Sequence, residues 1–222
     1  MTSIFARAMG DEFERLHPML QRRFGVGLDS GEACTGRGVM WEIRRGPWWT
    51  VPFLQIGRLR NILVPDVGRD VPFTIENYPY RDPSGRETVT MVREYTIGGR
   101  PRRFDATMIL ADGDIVDYLG THQHLAVDLQ MHADDRGRLV ITTDAQRFYA
   151  GSVGFSFPML FSGRARLREW YDDDGEQFHI DLRVVNSVFG FLFGYRGTFT
   201  CEWTPATDAP QRLKPVRHET RT

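Results

Sequence analysis

The sequence has no long apolar run, a single lysine and only two cysteines. Its 222 residues carry a formal net charge of -1, which argues against nucleic acid, because nucleic-acid-binding domains normally present a strongly basic surface. No uninterrupted apolar segment approaches the roughly 20 residues that span a bilayer, so no transmembrane segment is expected. Cys34 and Cys201 lie in different segments. We therefore expect reduced, structural thiols rather than a disulfide framework.

The N-terminus also lacks the features of a secretory signal. Arg7, Asp11 and Glu12 occur before any apolar run can form. With 41% hydrophobic and 26% charged residues, the composition is that of an ordinary globular protein. We therefore expect a folded cytoplasmic protein.

Three uncharged segments, crowded with aromatic residues and bracketed by arginines, are the most informative feature of the chain. They are residues 46–57, 148–163 and 184–195. Rigid aromatic surface in sequence broken by Gly and Pro indicates the walls of an apolar cavity, since ordinary cores come from periodic strands and helices. The predicted ligand-binding residues are Trp48, Trp49, Phe53, Phe157, Phe191, Tyr195, Arg196, His122 and His124. Arg196 could orient a polar end of the ligand or could only extend its charge to water.

Two periodicities predict the fold. Residues 3–24 have apolar positions three or four apart, with Ser3 as a cap and Pro18 opening a second helix. From residue 34 the period changes to two, and hairpin turns such as Gly98-Gly99 separate about nine strands. The intervals between the predicted strands are too short for crossover helices, which excludes a parallel α/β fold.

This pattern predicts an α+β, mostly β fold. We expect an antiparallel barrel or strongly curved sheet of about nine strands, plugged or flanked by the N-terminal helices. Residues 1–204 form one ligand-binding domain in this interpretation. Residues 205–222 are polar and contain three prolines, which predicts an extended or frayed tail.

Several segments together resemble a bacterial domain-of-unknown-function family. They include LHPMLQRRFG (16–25), GRGVMWEIRRG (36–46), VDYLGTHQHLAVDL (116–129) and FGYRGTFTCEW (193–203). The resemblance covers almost the whole chain and implies one complete domain. Members stand alone or follow a saccharopine-dehydrogenase-like reductase domain, which implies a reductase as a possible partner. The resemblance implies no catalytic residue.

Two groups of residues suggest chemistry. His122 and His124 project to one side of an extended segment and could coordinate one metal ion. No third ligand has diagnostic spacing, so we prefer the interpretation of a polar turn between strands. We therefore predict no metal and no cofactor. Asp105, Asp117 and Glu169 lie in apolar strand contexts. A carboxylate facing a water-poor interior could act as a general acid or base.

Arg93 is the expected partner of Asp105, because the two strands that carry them form a hairpin. The predicted catalytic residues are therefore Asp105, Arg93, Asp117 and Glu169. The alternative for each carboxylate is a cross-strand ion pair on the solvent face.

The predicted function is binding of a small hydrophobic molecule with a polar end inside the barrel, with cofactor-free acid/base or cyclisation-type catalysis as an accompanying hypothesis. One alternative is a non-enzymatic module that docks on a membrane or a partner through its aromatic segments. Another is a histidine-metal enzyme. The direction of the aromatic side chains separates the first two: inward favours a ligand and outward favours a partner.

Overall fold

The chain begins with three short helices whose starts are set by capping residues. They are α1 (Ile4–Met9), α2 (Asp11–Glu14) and α3 (Pro18–Phe24). The Ser3 hydroxyl accepts a hydrogen bond from the amide of Ala6 at 3.2 Å, and the amide of Met19 donates to Nδ1 of His17 at 3.2 Å. These contacts satisfy amide groups that have no partner within the helix. The predicted N-terminal helices are confirmed.

After the helices, the described part of the chain contains eleven strands. A computed structural model describes residues 3–51, 61, 66–150, 153–156 and 163–222, without the side chains of Asp144 and Ser156. The strands are β1 (Glu32–Arg45), β2 (Gly68–Arg81), β3 (Glu87–Ile97), β4 (Arg100–Ala111), β5 (Asp114–Leu119), β6 (Leu125–Ala133), β7 (Leu139–Ala150), β8 (Val153–Ser156), β9 (Arg164–Asp172), β10 (Gln177–Asn186) and β11 (Gly190–Pro205).

These strands close into an antiparallel barrel. The order of hydrogen-bonded neighbours is β6-β5-β4-β3-β2-β1-β11-β10-β9-β7-β8, and β6 also pairs with β7. Ten strands form the ring, and β8 only extends β7 as a hairpin. Closure leaves no unpaired edge in the ring. The predicted mostly β fold with N-terminal helices is confirmed.

Antiparallel order places alternate connections at opposite ends of the barrel. The helices lie at one end, where the amide of His17 donates to the carbonyl of Gly137 in the β6–β7 turn at 2.9 Å. At the other end β1, β7 and β10 finish and β2, β9 and β11 begin. The described parts of all three aromatic segments therefore share one end, which we call the aromatic end.

The barrel interior is filled with packed side chains. The ring of Phe199 packs against those of Phe73 and Phe178 on two other strands. The helices α1 and α3 add Phe5 and Phe24 to the same cluster. This core stabilises the barrel, and most polar side chains of the strands lie on its outer face. None of the helices in the described chain is long and apolar enough to cross a membrane.

The C-terminal tail is extended and packs on the barrel rather than fraying from it. The side chain of Leu213 is 1% exposed, and its carbonyl accepts a hydrogen bond from the Thr90 hydroxyl at 2.7 Å. Further on, the amide of Glu219 donates to Oε1 of Gln123 at 2.6 Å. The tail thus covers outward-facing surface of the barrel wall.

Candidate functional site

A cavity of about 830 Å³ lies at the barrel wall formed by β1, β11, β10, β9 and β7. Its described lining contains two carboxylates, Glu42 and Asp181, against six arginines, a formal excess of four positive charges. The arginines are Arg44, Arg164, Arg166, Arg168, Arg183 and Arg196. Its size is within the range of small-molecule pockets, roughly 300 to 1,000 Å³.

Three of the arginines alternate along β9, so their side chains share its outer face, and cross-strand register places the other three on the same face. On β9 the sequence Arg164-Ala165-Arg166-Leu167-Arg168 places exposed arginines around residues that are more buried. Leu182 and Tyr195, which belong to the hydrophobic core, also reach the cavity wall. The cavity therefore combines a strongly basic surface with an apolar one.

One row of charges across this face is fully compensated. Glu42, Arg196, Asp181 and Arg168 are successive cross-strand neighbours on β1, β11, β10 and β9. Arg196 lies 3.1 Å from Glu42 and Arg168 lies 3.4 Å from Asp181. We call these four residues the paired row. Alternating charges on an exposed sheet face are an ordinary structural arrangement.

The next row toward the aromatic end is only partly compensated, because Arg44 lies 3.4 Å from the same Glu42 and its two further arginines have no carboxylate opposite them in the described part of the sheet. Arg183 on β10 is directly opposite Arg166 on β9, and Arg44 on β1 follows beyond Gly194 of β11. Within the described residues, neither Arg166 nor Arg183 forms an ion pair. We call Arg44, Arg183 and Arg166 the arginine row. Like charges that face each other directly across two strands are destabilising.

An aromatic ring lies within the arginine row. The guanidinium carbons of Arg44 and Arg183 lie 5.8 Å and 5.7 Å from the ring centre of Phe191. Gly194 lies beside this ring. A Cβ at that position would lie only 2.4 Å from the carbonyl oxygen of Leu182, so the close approach of β10 requires glycine there, and 3.4 Å from Cε2 of Phe191, an ordinary contact distance. The ring gives the basic row an apolar surface for a ligand.

Three of the predicted ligand-binding residues line this cavity. Phe191, Tyr195 and Arg196 are brought together there, although Arg196 is already paired with Glu42. Phe53 and Phe157 fall outside the described residues. The cavity also differs in position from the predicted pocket, because most of its lining belongs to the outer face and not to the barrel interior.

The predicted pairing of Asp105 with Arg93 is wrong. The β3–β4 hairpin has a two-residue turn, so Arg93 pairs with Phe104 and Asp105 pairs with Val92, which puts the two side chains on opposite faces. Arg93 is inside, with its guanidinium carbon 5.0 Å from the Phe104 ring centre. Asp105 is outside and buried, accepting hydrogen bonds from Arg103 at 2.5 Å and Thr121 at 2.8 Å.

Asp117 faces the barrel interior, next to the core. It is directly opposite Met108 and Val127 on the two neighbouring strands. Burial raises the pKa of Asp117 to about 7, although the positive charge of Arg93 and a hydrogen bond from the backbone of Thr107 act to lower it. Oδ1 has no hydrogen-bond partner among the described residues. The carboxyl is a titratable group in the core, away from the cavity.

Glu169 is also inside, where it forms a buried ion pair with Arg23 of α3. Burial acts to lower the pKa of Arg23, but the Glu169 carboxylate and the nearby thiols outweigh it, and the pKa stays above its ordinary value. Arg23 Nη1 lies 3.8 Å from Sγ of Cys34. Cys34 and Cys201 are both free thiols. This cluster ties α3 to the barrel, and neither Asp117 nor Glu169 lines the cavity.

His122 and His124 lie in the turn between β5 and β6. Their rings stack at 5.6 Å with an interplanar angle of 10°, and Nδ1 of His124 lies 2.7 Å from the carbonyl oxygen of Tyr149. In the part of the chain that the structure describes, no group of three or more His, Cys, Asp and Glu side chains is placed to hold a metal ion. The two histidines are separate from the cavity.

Trp48 and Trp49 are exposed at the aromatic end. Their exposed fractions are 78% and 51%, and their rings make an edge-on contact at 6.0 Å. Phe155 and Val188, from the other two aromatic segments, are exposed as well. The aromatic residues therefore divide into two groups: Phe193 and Tyr195 face inward, whereas the two tryptophans face outward.

Sequence reasoning missed most of the arginines that form the cavity. The signal was present in Arg164, Arg166 and Arg168, because three positive charges at a spacing of two must share one face of a strand. Arg183 and Arg44 carry no such local signal. Their position depends on cross-strand register.

The fold and the cavity define this protein as an antiparallel β-barrel domain with an arginine-lined cavity in its wall. Residues 16–199 match the family model described as Domain of unknown function (DUF4166), and the chain belongs to this family. It is also 30% identical over 201 residues to the uncharacterized protein YndH of Bacillus subtilis (strain 168). That alignment covers 90% of this chain and 97% of YndH.

Proposed function

We propose that this protein binds a small amphiphilic molecule, with an apolar body and an anionic end, in the arginine-lined cavity. The observation that carries the proposal is the described lining itself, with six arginines against two carboxylates beside the apolar side chains of Phe191, Leu182 and Tyr195. Arginine suits this role because its planar fork binds carboxylates and phosphates while its flat face packs on aromatic rings.

The proposal is one of binding without a chemical step. Arg93, Asp105, Asp117 and Glu169 are not among the residues that line the described cavity. The carboxylates that do line it, Glu42 and Asp181, are ion-paired with arginines of the paired row. Acid/base or cyclisation-type catalysis stays a prediction, and so does the reductase partner that the family resemblance implies.

Displacement of an apolar fluorescent dye by dodecanoate tests the proposal. We expect saturable dye binding at one site and its displacement by dodecanoate. Phe191→Ala should weaken both, since it removes the ring between Arg44 and Arg183. Trp41→Ala is the matched control, because Trp41 is an exposed aromatic residue outside the cavity lining. Absence of dye binding, or equal effects of the two variants, would contradict the proposal.

A second candidate function is docking on an anionic membrane through the aromatic end. It is favoured by the exposure of Trp48 and Trp49 next to Arg44 and Arg45. Tryptophan partitions to the membrane interface, and arginine is attracted to anionic headgroups. Sedimentation with phosphatidylglycerol vesicles tests it: wild type should sediment, and Trp48→Ala/Trp49→Ala should not. Failure of the wild-type protein to sediment would remove this function.

A further inference from the structure

The arginine row has an arrangement that solvation alone does not explain. On the same outer face, one row away, the chain compensates every arginine with a carboxylate of a neighbouring strand. In the arginine row only Arg44 has a carboxylate partner, Glu42 of its own strand, and Arg183 lies directly opposite Arg166. Two positive charges so close repel each other unless an anion lies between them.

The cross-strand neighbours of this pair are uncharged, whereas charged residues lie two positions away along β9 and β10. Thr142 of β7 is directly opposite Arg166 on its other side, and Gln130 of β6 follows Thr142. Both residues line the cavity. On the opposite flank the Phe191 ring lies 5.7 Å from the Arg183 guanidinium carbon. Polar groups on one side and an aromatic ring on the other are what an anion with an apolar substituent requires.

We propose that Arg166 and Arg183 together bind the oxyanion of a phosphate monoester, whose apolar remainder packs on Phe191 in the same cavity. This inference rests on the proposed function and names its ligand class. A phosphate monoester carries a charge of about -1.5 to -2 near neutral pH and three acceptor oxygens. It can therefore neutralise both guanidinium groups and accept hydrogen bonds from both forks. A carboxylate supplies one charge and leaves the second arginine uncompensated.

Calorimetric titration with dodecyl phosphate and dodecanoate, both as monomers below micelle formation, tests the assignment. Dodecyl phosphate can accept charge-assisted hydrogen bonds from both arginines, whereas dodecanoate neutralises only one of them. We therefore expect dodecyl phosphate to bind at least about tenfold more tightly than dodecanoate. Arg166→Met and Arg183→Met should each remove this advantage and leave the two ligands with similar affinities. Arg37→Met is the matched control, since Arg37 lies on the outer face of β1 in an exposed ion pair with Glu202, outside the cavity.

The same phosphate chemistry could come from a soluble molecule or from a lipid headgroup, and vesicles distinguish these sources. Binding of monomeric dodecyl phosphate that depends on Arg166 and Arg183 assigns a soluble ligand. If only phosphatidic acid vesicles recruit the protein, with the same dependence, the ligand is a headgroup. If dodecyl phosphate and dodecanoate bind with equal affinity, or if neither arginine substitution changes the affinity, the inference is wrong and the proposed function still stands. If neither amphiphile nor any dye binds, the proposed function itself has failed.

All variants carry substitutions on exposed strand positions, which keeps the test independent of folding. The far-ultraviolet circular dichroism of Arg166→Met and Arg183→Met should match that of Arg37→Met, and their unfolding midpoints should be no lower, since each substitution removes one of two facing like charges and exposed charges otherwise contribute little to stability. Arg183→Lys adds a graded variant. It keeps the charge but loses the planar fork, so its affinity for dodecyl phosphate should fall between those of wild type and Arg183→Met.

Discussion

Arg23 of α3 forms a buried ion pair with Glu169 of β9, although 146 residues separate them in the chain. Their side chains are 0% and 2% exposed. The pair joins α3 to strand β9 of the barrel and places two opposite charges in the core. Its neighbours, the free thiols of Cys34 and Cys201, are soft and weakly polar.

Breaking this pair should strongly destabilise the fold. We expect Arg23→Met and Glu169→Gln each to lower the free energy of unfolding by about 3 to 5 kcal/mol, because each leaves the other group buried without its partner. The double variant should lose less than the sum of the two. Denaturant unfolding curves measure this. Near-wild-type midpoints for both single variants would contradict a structural role for the pair.

The pH dependence of stability should report on Asp117. Burial raises its folded-state pKa to about 7, above the ordinary value of 3.8. Between these values the folded protein binds more protons than the unfolded chain at this group. Its contribution to stability is therefore present at low pH and is lost as the pH rises from about 4 to about 7.

Asp117→Asn removes this titration. The unfolding free energy of wild type minus that of Asp117→Asn should fall across the same window, by at most about 1.4 kcal/mol per pH unit. Denaturant midpoints at several pH values give the measurement, with Asp114→Asn, at an exposed position of the same strand, as the control. A pH-independent difference for Asp117→Asn would show that the carboxyl titrates normally in the fold.

The C-terminal tail should contribute to stability through one buried side chain. Leu213 is 1% exposed and Val216, three residues later, is 72% exposed. Leu213→Ala should cost about 2 to 5 kcal/mol, as expected for a buried leucine, whereas Val216→Ala should stay within about 0.5 kcal/mol of wild type. Thermal unfolding of the two variants compares them directly. Equal stabilities would mean that the tail does not dock in solution.

Local sequence signals predicted the elements of the fold. The Ser3 cap, the change of period from three or four to two, and the glycine turns each act within a few residues, so they are readable from sequence alone. The position of Arg93 relative to Asp105 could not be predicted in this way, because a difference of one residue in the turn length moves a side chain to the opposite face of its strand. A local pattern fixes a strand but not its register.

The candidate site depended on register even more strongly. Arg183 and Arg166 oppose each other only because β10 pairs with β9 in one alignment. Irregularities between Met40 and Glu42, and between Val184 and Val185, then bring Arg44 and Phe191 into the same region of the wall. Such bulges leave little trace in the sequence. The uncharged aromatic segments were visible, but the direction of each side chain required the closed barrel.

A crystal structure of the protein with bound dodecyl phosphate is the most direct measurement of the central claim, that the arginine-lined cavity binds an anionic amphiphile. We expect the phosphate within hydrogen-bond distance of the Arg166 and Arg183 guanidinium groups, with the alkyl chain against Phe191. A ligand found in the barrel interior beside Asp117, or on Trp48 and Trp49 with the arginine row empty, would contradict it.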